Sequence, residues 1–170
     1  MTGRQTRRDP ESARRTAQPE TGRSGRPDAG GKMFSKIAVP VDLAHEAGLA
    51  KALKAAFELA RAGGAEICFV GVTATTPGAV ARTPEEFKRK LADFAAAQGD
   101  AAGVSTSAHT ILSHDPSVQM DRELEKAIAD IGADLVVMAT HLPNVSDYVW
   151  SGHGAHVAAH SKASVLLVRD

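Results

Sequence analysis

The stretch DLVVMATHLPNVSDYVWSGHGAHVAAHSKASVLLV, residues 134–168, decides the fold, because it contains a complete strand–loop–helix–strand unit. Asp134–Met138 and Ser164–Val168 are short aliphatic runs and read as the fourth and fifth strands. Between them lie a polar loop from Ala139 to about Ser151 and a short helix to about Ser161. A helical crossover between two strands makes them parallel neighbours in one sheet.

The same alternation runs upstream. Lys36–Asp42, KIAVPVD, reads as a first strand that ends at Pro40 and Asp42. A helix over roughly 45–62 follows, with Leu49, Leu53, Ala56 and Ala60 on one stripe and Gly63-Gly64 as its stop. Ile67–Val72 is a second strand, apolar on both faces, as expected where helices cover both sides of a sheet. The helix over about 84–98 has a complete start signal: Thr83 as N-cap, Pro84 at the first position and Glu86 closing a capping box. Phe87, Leu91 and Phe94 form its inward stripe. Ser107–Leu112 is the third strand, and Asp115-Pro116 opens a further helix with Leu124, Ile128 and Ile131 inward. Five strands alternating with helices give an α/β class, three layers with a doubly wound parallel sheet.

Composition agrees. The 170 residues are 43% hydrophobic but only 4% aromatic, so Ala, Val, Leu and Ile build the core. No apolar run reaches roughly 18 residues, which excludes a membrane-spanning helix. The formal net charge is zero, yet residues 1–32 hold 8 basic and 4 acidic residues, and residues 33–170 hold 12 and 16. A mildly acidic domain is a poor partner for nucleic acid phosphates. Cys68 is the one cysteine and lies in an apolar strand, so no disulfide framework exists and a reducing compartment fits. Residues 1–32 contain no Leu, Ile, Val or Phe, and such a segment cannot offset its own ordering entropy. The expectation is a disordered N-terminal extension at 1–32 and one folded domain at 33–170. The extension reads as an inert tail, a basic arm or translated upstream sequence, with Met33 a candidate natural start.

In such a sheet ligands sit beyond the carboxyl ends of the strands where strand order reverses. Two loops converge there, Pro40-Val41-Asp42 and the one from Ala139. The second feeds a helix opening near Gly152, whose free N–H groups suit an anion such as phosphate. Asp42 either accepts hydrogen bonds from a ligand or caps the helix after it. No Walker-type loop follows a strand, no glycine-rich dinucleotide turn follows the first strand, and no G-x-S-x-G elbow is present. His153, His156 and His160 share a helix face, but neither cysteine nor H-E-x-x-H accompanies them, so no metal is expected. The stripe is read as a half-exposed polar face or a subunit contact. Trp150 is read as packing under the loop.

KIAVPVD, AEICFVGV, HDPS, GADLVVMATH and HSKASVLLVR, in this order and spacing, make the chain resemble the universal stress proteins over residues 33–170. The resemblance implies strand order 3-2-1-4-5 and a cytoplasmic stress-response protein that is not a dedicated enzyme. It also implies a homodimer paired through the last strand, 164–168. ATP or AMP is the implied ligand, bound at the crevice between strands 1 and 4. Carried over, Asp42 meets the adenine or ribose, with Pro40 and Val41 among the nucleotide-binding residues, Val72 lines the adenine pocket, and Met138 ends strand 4. Ala139, His141, Leu142, Ser151, Gly152 and His153 form the phosphate loop. The family writes this loop as G-x-x-G and, after a spacer, G-[ST]. Here Ala139 and Leu142 replace the two leading glycines, and the closing pair falls at Ser151-Gly152 or Gly152-His153. THLP is similar to a variant in which His141 and the N–H groups near Gly152 take the phosphate. The alternative is a homodimeric interaction module of the same family that binds no nucleotide.

Overall fold

A computed structural model describes Met1 and residues 32–114, 116–140, 150 and 152–169, the side chains of 116–118 and 140 excepted. The expected extension and the loop residues His141, Leu142 and Ser151 lie outside the described residues, apart from Met1 and Lys32. Lys32 Nζ donates to the Gly64 carbonyl at 2.7 Å.

The elements are β1 (Lys36–Pro40), a 3-10 turn (Glu46–Leu49), α1 (Ala50–Gly63), β2 (Glu66–Ala74), α2 (Pro84–Ala102) and β3 (Thr106–Ser113), followed by α3 (Pro116–Asp130), β4 (Leu135–Thr140), α4 (His153–His160) and β5 (Ser164–Arg169). All pairings are parallel and the sheet order is β3-β2-β1-β4-β5. This is the expected order. The two central strands are locked at their amino ends by Asp134. Its carboxylate accepts from Ser35 N–H at 2.7 Å and Lys36 N–H at 3.1 Å. Its own N–H donates to the Lys36 carbonyl. One acidic side chain at the strand entrance thus sets the register of β4 against β1.

Alternation along the strands sorts their side chains between two helical layers. Phe69 of β2 packs edge-on against Phe57 of α1 and Phe94 of α2, at centroid distances of 6.3 and 5.3 Å. Residues in register with Phe69 therefore face α1 and α2: Val39, Ile37 and Leu135, then Val137 and Ala139 by alternation. The intervening set faces α3 and α4. Leu167 confirms this side, because a Cβ on Gly154 of α4 would strike its side chain. Met138 is its register partner. Ile37, Phe69, Val70, Val136 and Val137 are fully buried, so the sheet is covered on both faces.

Local sequence explains most boundaries. Thr83 Oγ1 accepts from Glu86 N–H at 3.1 Å, and Glu86 reaches back to Arg82 N–H at 2.9 Å, closing the expected box one residue early. Several boundaries differ from expectation, and three of the differences have a local cause. The first helix splits into the 3-10 turn and α1, because His45 and Gly48 make i to i+3 backbone bonds at 3.0 and 3.1 Å. Its stripe of Leu49, Leu53, Ala56 and Ala60 is nevertheless buried. α2 runs to Ala102 and not 98, because Gly99 is no stop: a side chain there would collide with Thr106, so glycine permits close approach to β3. Gly103, at φ 65°, is the true cap. β4 continues to Thr140, which moves Ala139 from the loop into the sheet, opposite Val168.

Candidate functional site

At the carboxyl ends of β1 and β4, the alternation just described divides the expected site residues. Val72 and Met138 point to the α3/α4 side, as does Pro40, the register partner of Val70. Ala139 and Val41 take the other side. Val41 is 1% exposed, its N–H donating to Val70 O at 2.8 Å, so its side chain belongs to the core under α1. Ala139 directs its Cβ away from α4. Alanine in place of glycine at this position therefore puts no Cβ on the α4 side.

Asp42 sits at the mouth and is 9% exposed. Oδ1 accepts from Ala44 N–H at 2.9 Å, and Oδ2 lies 2.8 Å from His45 Nδ1. A carboxylate only accepts, so His45 carries its proton on Nδ1 in this pair. Of the two readings of Asp42, the structure supplies a local one: it closes the turn into the 3-10 segment, with His45 as the N-cap residue. Each oxygen retains a lone pair, so the carboxylate is held rigid and can still accept from a ligand hydroxyl. His45 was not anticipated. The D-x-x-H spacing at the end of a strand is the only signal that points to it.

α4 opens at Gly152, whose φ of 83° is left-handed and favours glycine. A Cβ there would meet none of the described residues within 4 Å. Gly152, as the N-cap residue, has no side chain to cap this terminus. His153 N–H turns back to Trp150 O at 3.3 Å, leaving the next N–H groups of the first turn unpaired within the helix. Trp150 is 1% exposed and belongs to the core, as expected of a packing residue.

The histidine stripe of α4 meets an acidic stripe on α3. His153 Nδ1 lies 2.6 Å from Asp121 Oδ1. His156 Nδ1 lies 3.7 Å from Asp121 Oδ2, and its Nε2 lies 4.0 Å from Glu125. His160 stacks on His156 at 4.1 Å. The stripe is thus a half-exposed polar seam between two helices of one chain. Among the described residues no group of three His, Cys, Asp or Glu is arranged to hold a metal ion, and no helix is long and apolar enough to cross a membrane.

A groove of about 710 Å³ lies on the α2 side, lined by Leu43, Glu46, Val80, Lys90, Asp93 and Phe94. It is a poor place for an anion. Lys90 is already held by Val80 O at 2.6 Å and Glu86 at 2.8 Å, and the other charged groups are carboxylates. The α3/α4 side of the crevice carries Pro40, Val72 and Met138 at the carboxyl ends of the strands.

A family model for the universal stress protein family matches residues 33–169. Among solved structures, a protein of that family from Burkholderia pseudomallei is 26% identical, with a TM-score of 0.59 over 81% of this chain and 98% of its own. A universal stress protein in complex with cAMP superposes with a TM-score of 0.55 at 20% identity, over 79% of this chain and 97% of its own. A family protein from Arabidopsis thaliana with AMP bound gives 0.52 at 14% identity, over 79% and 90%. No curated protein shows significant sequence similarity to the chain.

Proposed function

We propose, from the premise that the chain belongs to the universal stress protein family, that it is a stress-response protein binding ATP or AMP in the β1/β4 crevice. The observation that carries this reading is the placement of Pro40, Val72 and Met138 on the same side of the sheet as α4, with rigid Asp42 at the crevice mouth. Similar proteins with cAMP and AMP bound support adenine nucleotide as the ligand class. Asp42 accepts from the ribose, Val72 and Met138 flank the base, and the phosphates lie over Gly152 and His153, with His141, Leu142 and Ser151 completing the loop. The protein acts by binding, in the cytoplasm, through residues 33–170. Isothermal titration of the purified chain with AMP, ATP and adenosine tests this, together with mass spectrometry of molecules released on denaturation. Absence of heat at millimolar nucleotide and of any released nucleotide would refute it.

The second reading is a homodimeric interaction module without nucleotide. Leu142 in place of glycine favours it, and replacing Leu142 by Gly discriminates: binding that appears only in the variant means the native site is closed. Both readings share a homodimer through β5. This strand pairs only with β4 among the described strands, and Leu166 and Leu167 are 37% and 38% exposed on its two faces. A solvent-facing edge with apolar side chains is a template for pairing with a second copy. Leu166→Lys is expected to turn a dimer into a monomer by light scattering.

A further inference from the structure

The groove of about 710 Å³ on the α2 side has no part in the nucleotide reading. Phe94 lines it, and Phe69 of β2, which meets that ring at 5.3 Å, points into the α1/α2 layer. The groove therefore lies across the sheet from Pro40, Val72 and Met138. Its apolar lining is Leu43, Val80 and Phe94, which pack on the core while part of each side chain still faces water. One wall is the turn after β1, where Asp42 Oδ1 accepts from Ala44 N–H at 2.9 Å. The other wall is α2 and the loop before it, where Lys90 Nζ donates to Val80 O at 2.6 Å and Gly78 N–H donates to Ala81 O at 2.9 Å. Both walls are held by their own hydrogen bonds, and the volume falls in the range of roughly 300–1,000 Å³ that preformed small-molecule pockets occupy.

The charges around this lining are unbalanced. Glu46 contributes a carboxylate from the first wall and Asp93 another from the second, and both are exposed. Neither takes part in an ion pair among the described residues. Lys90, the cation of the lining, is already engaged by Glu86 at 2.8 Å and by Val80 O. An anion entering the groove is repelled, a neutral apolar molecule gains only burial, and a cation with an apolar body gains burial and attraction together. We propose that the groove is a binding site for a small organic cation, an amine carried on an aliphatic or aromatic body. The apolar contact supplies most of the affinity, because attraction to exposed carboxylates is screened by water and salt. Glu46 and Asp93 select the sign of the charge. The groove and the nucleotide crevice occupy opposite faces of the sheet, so either site can fail without the other.

The test titrates the full chain with three probes of one shape, phenethylamine, 2-phenylethanol and 3-phenylpropionate, and follows backbone amide shifts by nuclear magnetic resonance. Phenethylamine is expected to move the amides of residues 43–46, 79–80 and 90–97. The alcohol should act at the same place about tenfold more weakly, and the carboxylate more weakly still. Added salt should bring the amine towards the alcohol. Glu46→Gln and Asp93→Asn remove exposed, unpaired charges, so the fold should be unchanged by circular dichroism. Each should weaken the amine about two- to fivefold and leave the alcohol as it was. Ala97→Trp, at an exposed position of the α2 wall, should fill the groove and abolish both. The proposal is overturned by equal binding of amine and alcohol, by charge variants that keep the wild-type preference, or by no shift in these residues at about tenfold the concentration that saturates a millimolar site. A change in molar mass on Ala97→Trp by light scattering would also overturn it, because the groove would then be covered by a second copy of the chain.

Discussion

Replacing Gly99 by Ala should destabilise the protein, although glycine is a poor residue for a helix interior. Propensity alone favours the change by about 1 kcal/mol. The surroundings oppose it, because the new methyl would overlap Thr106 Oγ1 and lie 3.0 Å from both Thr106 Cγ2 and the Val104 carbonyl. None of these is the loose end of a long side chain. Thr106 is β-branched, starts β3 and donates its hydroxyl to Ala95 O at 2.8 Å, while the Val104 carbonyl is backbone. Overpacking of this kind costs about 2 kcal/mol. Displacing the hydroxyl loses a hydrogen bond of about 1 kcal/mol. The net expectation is a loss of about 2 kcal/mol, read as a lower urea midpoint at unchanged slope by far-ultraviolet circular dichroism. Thr106→Ala removes two of the three obstructing atoms and leaves the Val104 carbonyl, at 3.0 Å. In that background Gly99→Ala should be neutral or stabilising, giving a coupling of about 2 to 3 kcal/mol in the double-mutant cycle. A single Gly99→Ala variant with an unchanged or higher midpoint would show that α2 and β3 do not approach as closely as described.

Three further outcomes follow from local chemistry. Thr83→Ala removes the side-chain acceptor of α2 and should cost about 1 kcal/mol in the same denaturation experiment. Glu86 is held below the usual carboxylate range first by Lys90 and then by the Arg82 N–H, so its contribution is present at neutral pH and lost as pH falls through its folded value; Glu86→Gln should lose less stability on acidification than wild type. Burial pushes the Cys68 thiol up, so it should resist a thiol reagent at mildly alkaline pH and react fully only in denaturant. Rapid labelling of the native protein would contradict the buried position of β2.

Where a signal is local, the sequence was legible. The T-P-E-E start of α2 needs only its own residues, and its cap appears as expected. Strand identity and order followed from apolar runs alternating with helices, together with the family resemblance. Features that depend on a partner elsewhere were not legible. α2 reads as ending near 98 until Gly99 is seen against Thr106, and β4 reads as ending at Met138 until Val168 and Arg169 extend the ladder. The spacing of His153, His156 and His160 gave the face but not its neighbour, because Asp121 and Glu125 lie some thirty residues upstream on another helix. Ala139 was weighed as a lost glycine of the loop. Which way its Cβ points depends on the length of β4, which no local pattern announces.

Trp150 is the sole tryptophan, and it is buried two residues before Gly152 with no acceptor for its indole N–H among the described residues. A donor left unpaired in the interior costs about 1 to 3 kcal/mol, so the packing around this ring is less favourable than its burial suggests. Water reaching the indole on local opening at the entrance to α4 would satisfy that donor. The emission of this one fluorophore therefore watches the candidate binding loop and not the sheet. A red shift that precedes loss of the circular dichroism signal would mark the entrance to α4 as a unit that melts first.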